Sequence, residues 1–289
     1  MSAAQATRGR HGNAGRRHGA CLRATGFRGL AAAALFVLLG GSAAGADFEA
    51  GWKAYQQGDF AAALGEWRAL AKDGDARAEY NLGILYDQGK GVDRDVAAAA
   101  ALWRRAAENG YAPAQHNLAA SLIAGDGIEQ DFAQALSWLK KAADQGLDRS
   151  IYTLGKMYSY GLSVDADPRR AFTLFLAAAK KGNVRAQYNL GKMYRDGDGT
   201  EKDLSAAVAW YRRAADKGYA KAQDSLGRRY TFGEGVAADP IQALFWTLLA
   251  ANQGLERAHA NRDELKAQMS AEDVARAERL VADWTPAAD

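Results

Sequence analysis

Several places in this chain carry residue types that could do chemistry, and their spacing decides what they could do. Ser137 and Lys140 stand three apart, the separation at which a lysine can help a serine attack a β-lactam or a related acyl group. The companion Ser-Asp-Asn and Lys-Thr-Gly motifs are absent, so the pair reads as a surface serine and lysine. Asp196-Gly197-Asp198-Gly199-Thr200 begins like a calcium loop. However, Glu201 takes the central glycine position and Ala207 the closing bidentate position, which removes the ligand such loops depend on. His116 and His259 have no histidine or cysteine companions at metal-ligand spacing. The Gly-x-Gly turns follow helical patterns and not strands, which excludes a dinucleotide fingerprint. The single cysteine, Cys21, lies in the leading segment, so the rest of the chain has no thiol chemistry and no disulfide. No catalytic residue, metal ligand or cofactor is expected.

The 289 residues carry 37 cations and 34 anions, but the charge is unevenly placed. Arg8, Arg10, Arg16, Arg17, Arg23 and Arg28 fall in the first 46 residues, which hold no acidic residue. The other 31 cations then face all 34 anions, a net of −3. A generally basic nucleic-acid binder is excluded for that part. The basic stretch runs into the apolar segment from Gly29 to Gly41 and then Ala44-Gly45-Ala46, the three-part pattern of a secretory signal. The apolar run is shorter than the ~18 residues that suggest a membrane span. Residues 1–46 are therefore expected to be a signal peptide with a long basic region, cleaved after Ala46. The remainder is placed in the periplasm or outside the cell, with membrane attachment only through an uncleaved signal.

The elements that must position any site repeat at an interval of 36 residues. Leu82, Leu118, Leu154, Leu190 and Leu226 are in register. So are Gly110, Gly146, Gly182, Gly218 and Gly254, and the aspartates 59, 95, 131, 167, 203 and 239. Ala78, Leu82, Leu85 and Tyr86 share one face of a first helix. Gly89-Lys90-Gly91 ends it, Asp95 caps a second helix, and Gly110 stops that one. Pro168 and Pro240 follow their aspartates at the first-turn position that tolerates proline. Paired alanines such as 106–107, 142–143 and 214–215 allow close helix approach.

The run Ala78 to Val92, with Asp95, Trp103 and Ala106-Ala107, resembles a Sel-one-like repeat, a branch of the tetratricopeptide solenoids. Ala186 to Tyr194 with Gly197, Gly199, Asp203 and Trp210 resembles it too. The resemblance implies an all-α, right-handed superhelical solenoid of stacked helix hairpins. Five repeats are expected, at 76–111, 112–147, 148–183, 184–219 and 220–255, after a tetratricopeptide-like opening repeat at 47–75. Capping helices over 256–284 and a tail at 285–289 follow. The third copy departs at Ser150 and Leu162-Ser163, and the second at Ala119 and Leu122, where looser packing is expected.

First helices of such stacks line the concave side, where ligands bind. Their free face reads Tyr80 and His116 in the first two copies. The last three copies give Arg149, Tyr152, Lys156, Arg185, Tyr188, Lys192, Arg195, Lys221 and Arg228, so that seven cations and two tyrosines share one strip. Such a strip suits an acidic peptide or carboxylate. The expected function is an exported, non-catalytic interaction scaffold that binds another exported or membrane-anchored protein in this groove, in envelope signalling or assembly. A cell-wall- or β-lactam-acting enzyme and a binder of acidic glycans are the alternatives.

Overall fold

The computed structural model describes residues 46–287, and in them the aspartate ladder starts every second helix. The Oδ1 atoms of Asp59, Asp95, Asp131, Asp167, Asp203 and Asp239 accept backbone N–H groups two or three residues on, at 2.8–3.0 Å. Each cap contributes about 1 kcal/mol. From Asp95 onward each capping aspartate also donates its own N–H to a carbonyl nine residues back, for example Asp95 to Tyr86 at 2.9 Å. The loop is thus closed at both ends by one residue.

Fourteen helices and no strand result among the described residues. The opening pair is α1 (Phe48–Gln56) and α2 (Phe60–Lys72). The five repeats contribute α3 (Ala76–Gln88) and α4 (Val96–Glu108), α5 (Ala112–Ala124) and α6 (Phe132–Asp144), α7 (Asp148–Tyr160) and α8 (Pro168–Lys180), α9 (Val184–Asp196) and α10 (Leu204–Asp216), and α11 (Ala220–Phe232) and α12 (Pro240–Asn252). α13 (Glu256–Gln268) and α14 (Ala271–Asp283) follow. Each helix up to α13 packs on its sequence neighbours, which is the contact pattern of an α-solenoid. The basic stretch, the apolar run and Cys21 lie outside the described residues. No described helix is long and apolar enough to cross a membrane.

Packing within a hairpin pairs a small residue with a ring. A Cβ on Gly51, Gly83, Gly155 or Gly191 would come within 3 Å of the ring of Trp67, Trp103, Phe175 or Tyr211 respectively. The second copy departs in both partners, since Ala119 stands for the glycine and Leu139, 36 residues after Trp103, for the ring. Both are fully buried, so the exchange keeps the packing tight where looser packing was expected. Of the alanine pair 142–143, Ala142 is fully buried and Ala143 only partly, so Ala142 carries the close approach.

A buried amide series joins one repeat to the next. Gln115, Gln187 and Gln223 donate their side-chain N–H to the carbonyls of Ala107, Ala179 and Ala215, at 3.2–3.3 Å. Glu79 holds the same place in the first copy and has no proton to give. There Arg105 fills the gap, donating to Ala71 O at 3.0 Å and to Glu79 Oε1 at 2.7 Å.

The end of the stack is covered by its own helix. α14 is capped by Ser270, whose Oγ accepts from Asp273 N at 3.1 Å. It packs on α12, where Trp246 is 3% exposed. In α6 and α10 the equivalent rings, Trp138 and Trp210, are covered instead by the cations Lys141 and Arg213 three residues on, at 4.0 and 4.4 Å. α12 has Leu249 at that place, so it needs the extra helix.

Candidate partner-binding groove

The first helices of the repeats carry the predicted strip, and two side chains show that it is an inner wall. Arg149 on α7 reaches Tyr80 on α3, two repeats away, with Nη2 3.4 Å from the hydroxyl. Side chains two repeats apart meet only on the side toward which the stack curves. Arg149 Nη2 also lies 3.4 Å from Pro113 O on α5, between them.

The tyrosines of the strip are half-buried and belong to the joints between repeats. Tyr80 meets Tyr111 edge-on at 5.3 Å, and Tyr188 meets Tyr219 in the same way at 5.4 Å. Tyr152 packs on Phe175 at 5.6 Å and Tyr188 on Tyr211 at 5.8 Å. Burial raises the Tyr152 hydroxyl above its ordinary value and pushes that of Tyr211 to about 12. Both are therefore neutral at pH 7, and the Tyr152 hydroxyl accepts from Asn189 at 3.4 Å.

The cations divide into two sets. Arg195 forms two bonds to Asp196, at 2.7 and 2.6 Å, which raise the arginine and hold the carboxyl below its usual range. This pairing also occupies the first acid of the calcium-like loop. Lys156, Arg185, Lys192, Lys221 and Arg228 make no ion pair among the described residues. Lys156 and Lys192 line one hollow with Tyr160 and Asn189, of about 170 Å³. Lys156 and Arg185 line a second, of about 400 Å³, with His116, Arg149 and Tyr152. Arg228 borders a third with Phe232 and Thr231, while Lys221 stands exposed at the start of α11. A larger depression, about 660 Å³, lies at the first turn of α8 and contains none of the strip residues. It is lined by Tyr158 of α7, the loop before Pro168, and Arg169 and Arg170 of α8.

His116 is half-buried, and its Nδ1 lies 2.9 Å from the Oγ of fully buried Ser150. Burial first, and the Arg149 charge second, lower its pKa to about 4, so the ring is neutral at pH 7. Ser150 is thus the partner of a buried imidazole. Its departure from alanine is matched by His116, which occupies a position held by tyrosine in three other copies.

In the fifth copy that position is Asp224, fully buried and paired with Arg257 at 2.6 Å and Asn261 at 3.1 Å. It fastens α11 to α13 and ends the aromatic series.

The Sel1 repeat pattern matches residues 76–111, 112–147, 149–183, 184–219 and 220–255, well over half of the chain. The chain belongs to the Sel1 repeat family. A Sel1 repeat protein from Oxalobacter formigenes is 30% identical, over 73% of this chain and 87% of that one, with a TM-score of 0.67. A protective antigen of uropathogenic Escherichia coli with the same repeat fold is 26% identical over 81% and 67%, at a TM-score of 0.41. An immunity protein from Pseudomonas aeruginosa is 23% identical over 72% and 82%, at 0.47. Of these three, the first alone superposes well enough to bear on this chain's geometry. No curated protein matches the chain. Sel1 repeat proteins typically mediate protein–protein interaction and are generally non-catalytic scaffolds.

The repeat register also explains the weak catalytic matches. Ser137 and Lys140 are both exposed on α6, on the side of the second helices. His259 sits on α13 with its Nδ1 3.1 Å from Arg262, in another part of the stack from His116. No group of three or more histidine, cysteine or acidic side chains fit to hold a metal occurs among the described residues. Two groove residues escaped the sequence reading. Tyr160 and Phe232, 67% and 64% exposed, end α7 and α11 at a repeat position that is polar or small in the other copies. A large aromatic there was the available signal.

Proposed function

We propose that this Sel1 repeat protein is an exported, non-catalytic scaffold that grips a partner protein along the inner wall of its stack, through an acidic segment. One observation carries the reading. Lys156, Arg185, Lys192, Lys221 and Arg228 share one side of the stack without ion-pair partners, in a body of net negative charge. Charges left open to solvent on one wall steer an oppositely charged segment and form charge-assisted bonds with it. Tyr160 and Phe232 beside them offer rigid contact area at small entropic cost. Export rests on the basic stretch, the apolar run and the Ala44-Gly45-Ala46 site, and it places the partner among exported or membrane-anchored proteins.

The test is the triple reversal Lys156→Glu, Lys192→Glu, Arg228→Glu. Helix content is expected to stay at the parent's value and melting to change little, since Lys156 and Arg228 are exposed and Lys192 is half-buried. Partner recovery by crosslinking in the native compartment, read by mass spectrometry, is expected to vanish. Undiminished recovery would remove the strip as the binding surface. Fractionation of cells, with the mature N-terminus read by sequencing, tests the export and the cut after Ala46.

A further inference from the structure

The hollow walled by His116, Arg149, Tyr152, Lys156, Asn183 and Arg185 has too few anions for its cations. Asp148 is the carboxylate nearest the histidine, and it already accepts a bond from Asn183 at 2.9 Å. The guanidinium of Arg149 is poorly served. Its Nη2 makes two long contacts, both at 3.4 Å and both to neutral oxygens, and its Nε is buried without a partner. A planar fork of donors in that state matches a carboxylate, which accepts two parallel N–H bonds. The volume of about 400 Å³ admits an acidic side chain or a chain terminus and excludes a folded surface.

Building on the groove reading above, we propose that this hollow is a carboxylate-binding subsite for the partner's acidic segment. Arg149, half-buried, is its anchor, and Lys156 and Arg185 are the flanking charges. The geometry makes it distinct from the rest of the strip, where Lys221 and Arg228 are exposed, Lys192 is half-buried beside Tyr160 and Asn189, and Arg195 is paired with Asp196. His116 reports on occupancy. The groups that face it are Asp148, Arg149 and Ser150 from α7, with Lys156 further along α7 and Arg185 on α9 lining the same hollow. A carboxylate bound beside Arg149 offsets the positive charge that now opposes protonation of the ring. Burial, the larger cause of the lowering, stays in place, so the value rises from about 4 by the Arg149 contribution alone.

The experiment uses the full chain and three blocked peptides of serine and glycine. One carries a central glutamate with both ends capped, one carries glutamine in its place, and one carries glutamine with a free C-terminal carboxylate. Binding is followed by NMR of the His116 ring, assigned with His116→Gln. The capped glutamate peptide is expected to bind saturably and to raise the His116 midpoint, and the capped glutamine peptide to do neither. Preference for the free terminus instead supports the subsite with the terminus as its source. Arg149→Gln, whose amide ends two bonds short of Nη2, removes the charged fork and is expected to weaken binding by about ten- to a hundred-fold. Exposed Arg185→Gln gives the same reading if the first variant fails to fold. Equal binding of capped glutamate and glutamine, an unmoved His116 midpoint, or uptake of an oligouronate with no peptide binding would each overturn the proposal. Partner recovery that survives Arg149→Gln and Arg185→Gln but is lost in the triple reversal overturns this subsite and leaves the strip. Recovery that survives all of them overturns both.

Discussion

Glu79 occupies the place that glutamine holds in three other copies, and Arg105 supplies the protons it lacks. Removing Arg105 leaves a carboxylate that is 2% exposed without its counter-charge, and takes one donor from the Ala71 carbonyl. Arg105→Ala is therefore expected to cost about 3 kcal/mol in urea unfolding. Adding Glu79→Gln should recover most of that loss, because the amide can donate to Ala71 as Gln115 does to Ala107. Equal stability of the single and double variants would refute the compensation. The exchange was not legible in the sequence, because the two residues are 26 apart and no periodicity links a first helix to the end of a second. The same holds for His116 and Ser150, read separately as a groove residue and as a departure, which are one hydrogen-bonded pair. The cations of the strip were legible because helix periodicity alone assigns them to one face.

Helix ends could be read almost to the residue, since aspartate and glycine mark them locally. Gly89, Gly125, Gly161, Gly197 and Gly233 all end first helices in the left-handed region. The second loop glycine has a further task, because a Cβ on Gly127, Gly199 or Gly235 would fall 2.2–2.3 Å from a carbonyl opening the previous second helix. In the third loop Ser163 takes its place, yet keeps the turn at a φ of 55°. The sequence announced a departure there, and what it costs is conformational. Ser163→Gly is expected to raise stability by about 1 kcal/mol, the strain of a side chain in that region. Thermal unfolding checks it, and a lower melting temperature would show that the serine side chain supports the loop. The docking of α14 was not legible, because it depends on Leu249 standing where α6 and α10 have a cation.

At the scale of the molecule, a stack in which each helix touches its neighbours draws its stability from a chain of joints. The last joints have a second fastening outside the repeat pattern. Trp284 packs against the core of α10 to α12, and Ala287 N donates to Asp216 O at 2.8 Å. Asp216 is raised above the usual carboxylate range by its burial. Ending the chain after Asp283 is expected to cost about 1–2 kcal/mol, from half-burial of one indole, and to lower Asp216 toward its ordinary value. A calorimetric scan and carboxyl NMR of that variant check both outcomes, and an unaltered melting curve would make the tail an ornament.

This lashing also bears on how the inner wall could move. Trp284 and Pro286 lie 3.7 Å from where a side chain on Gly218 would begin, so the turn between α10 and α11 is splinted from outside. The joints from α2 to α9 have no such splint. Flexing of the stack is therefore expected to concentrate in the earlier repeats, and faster amide exchange in α3 to α9 than in α10 to α12 would show it.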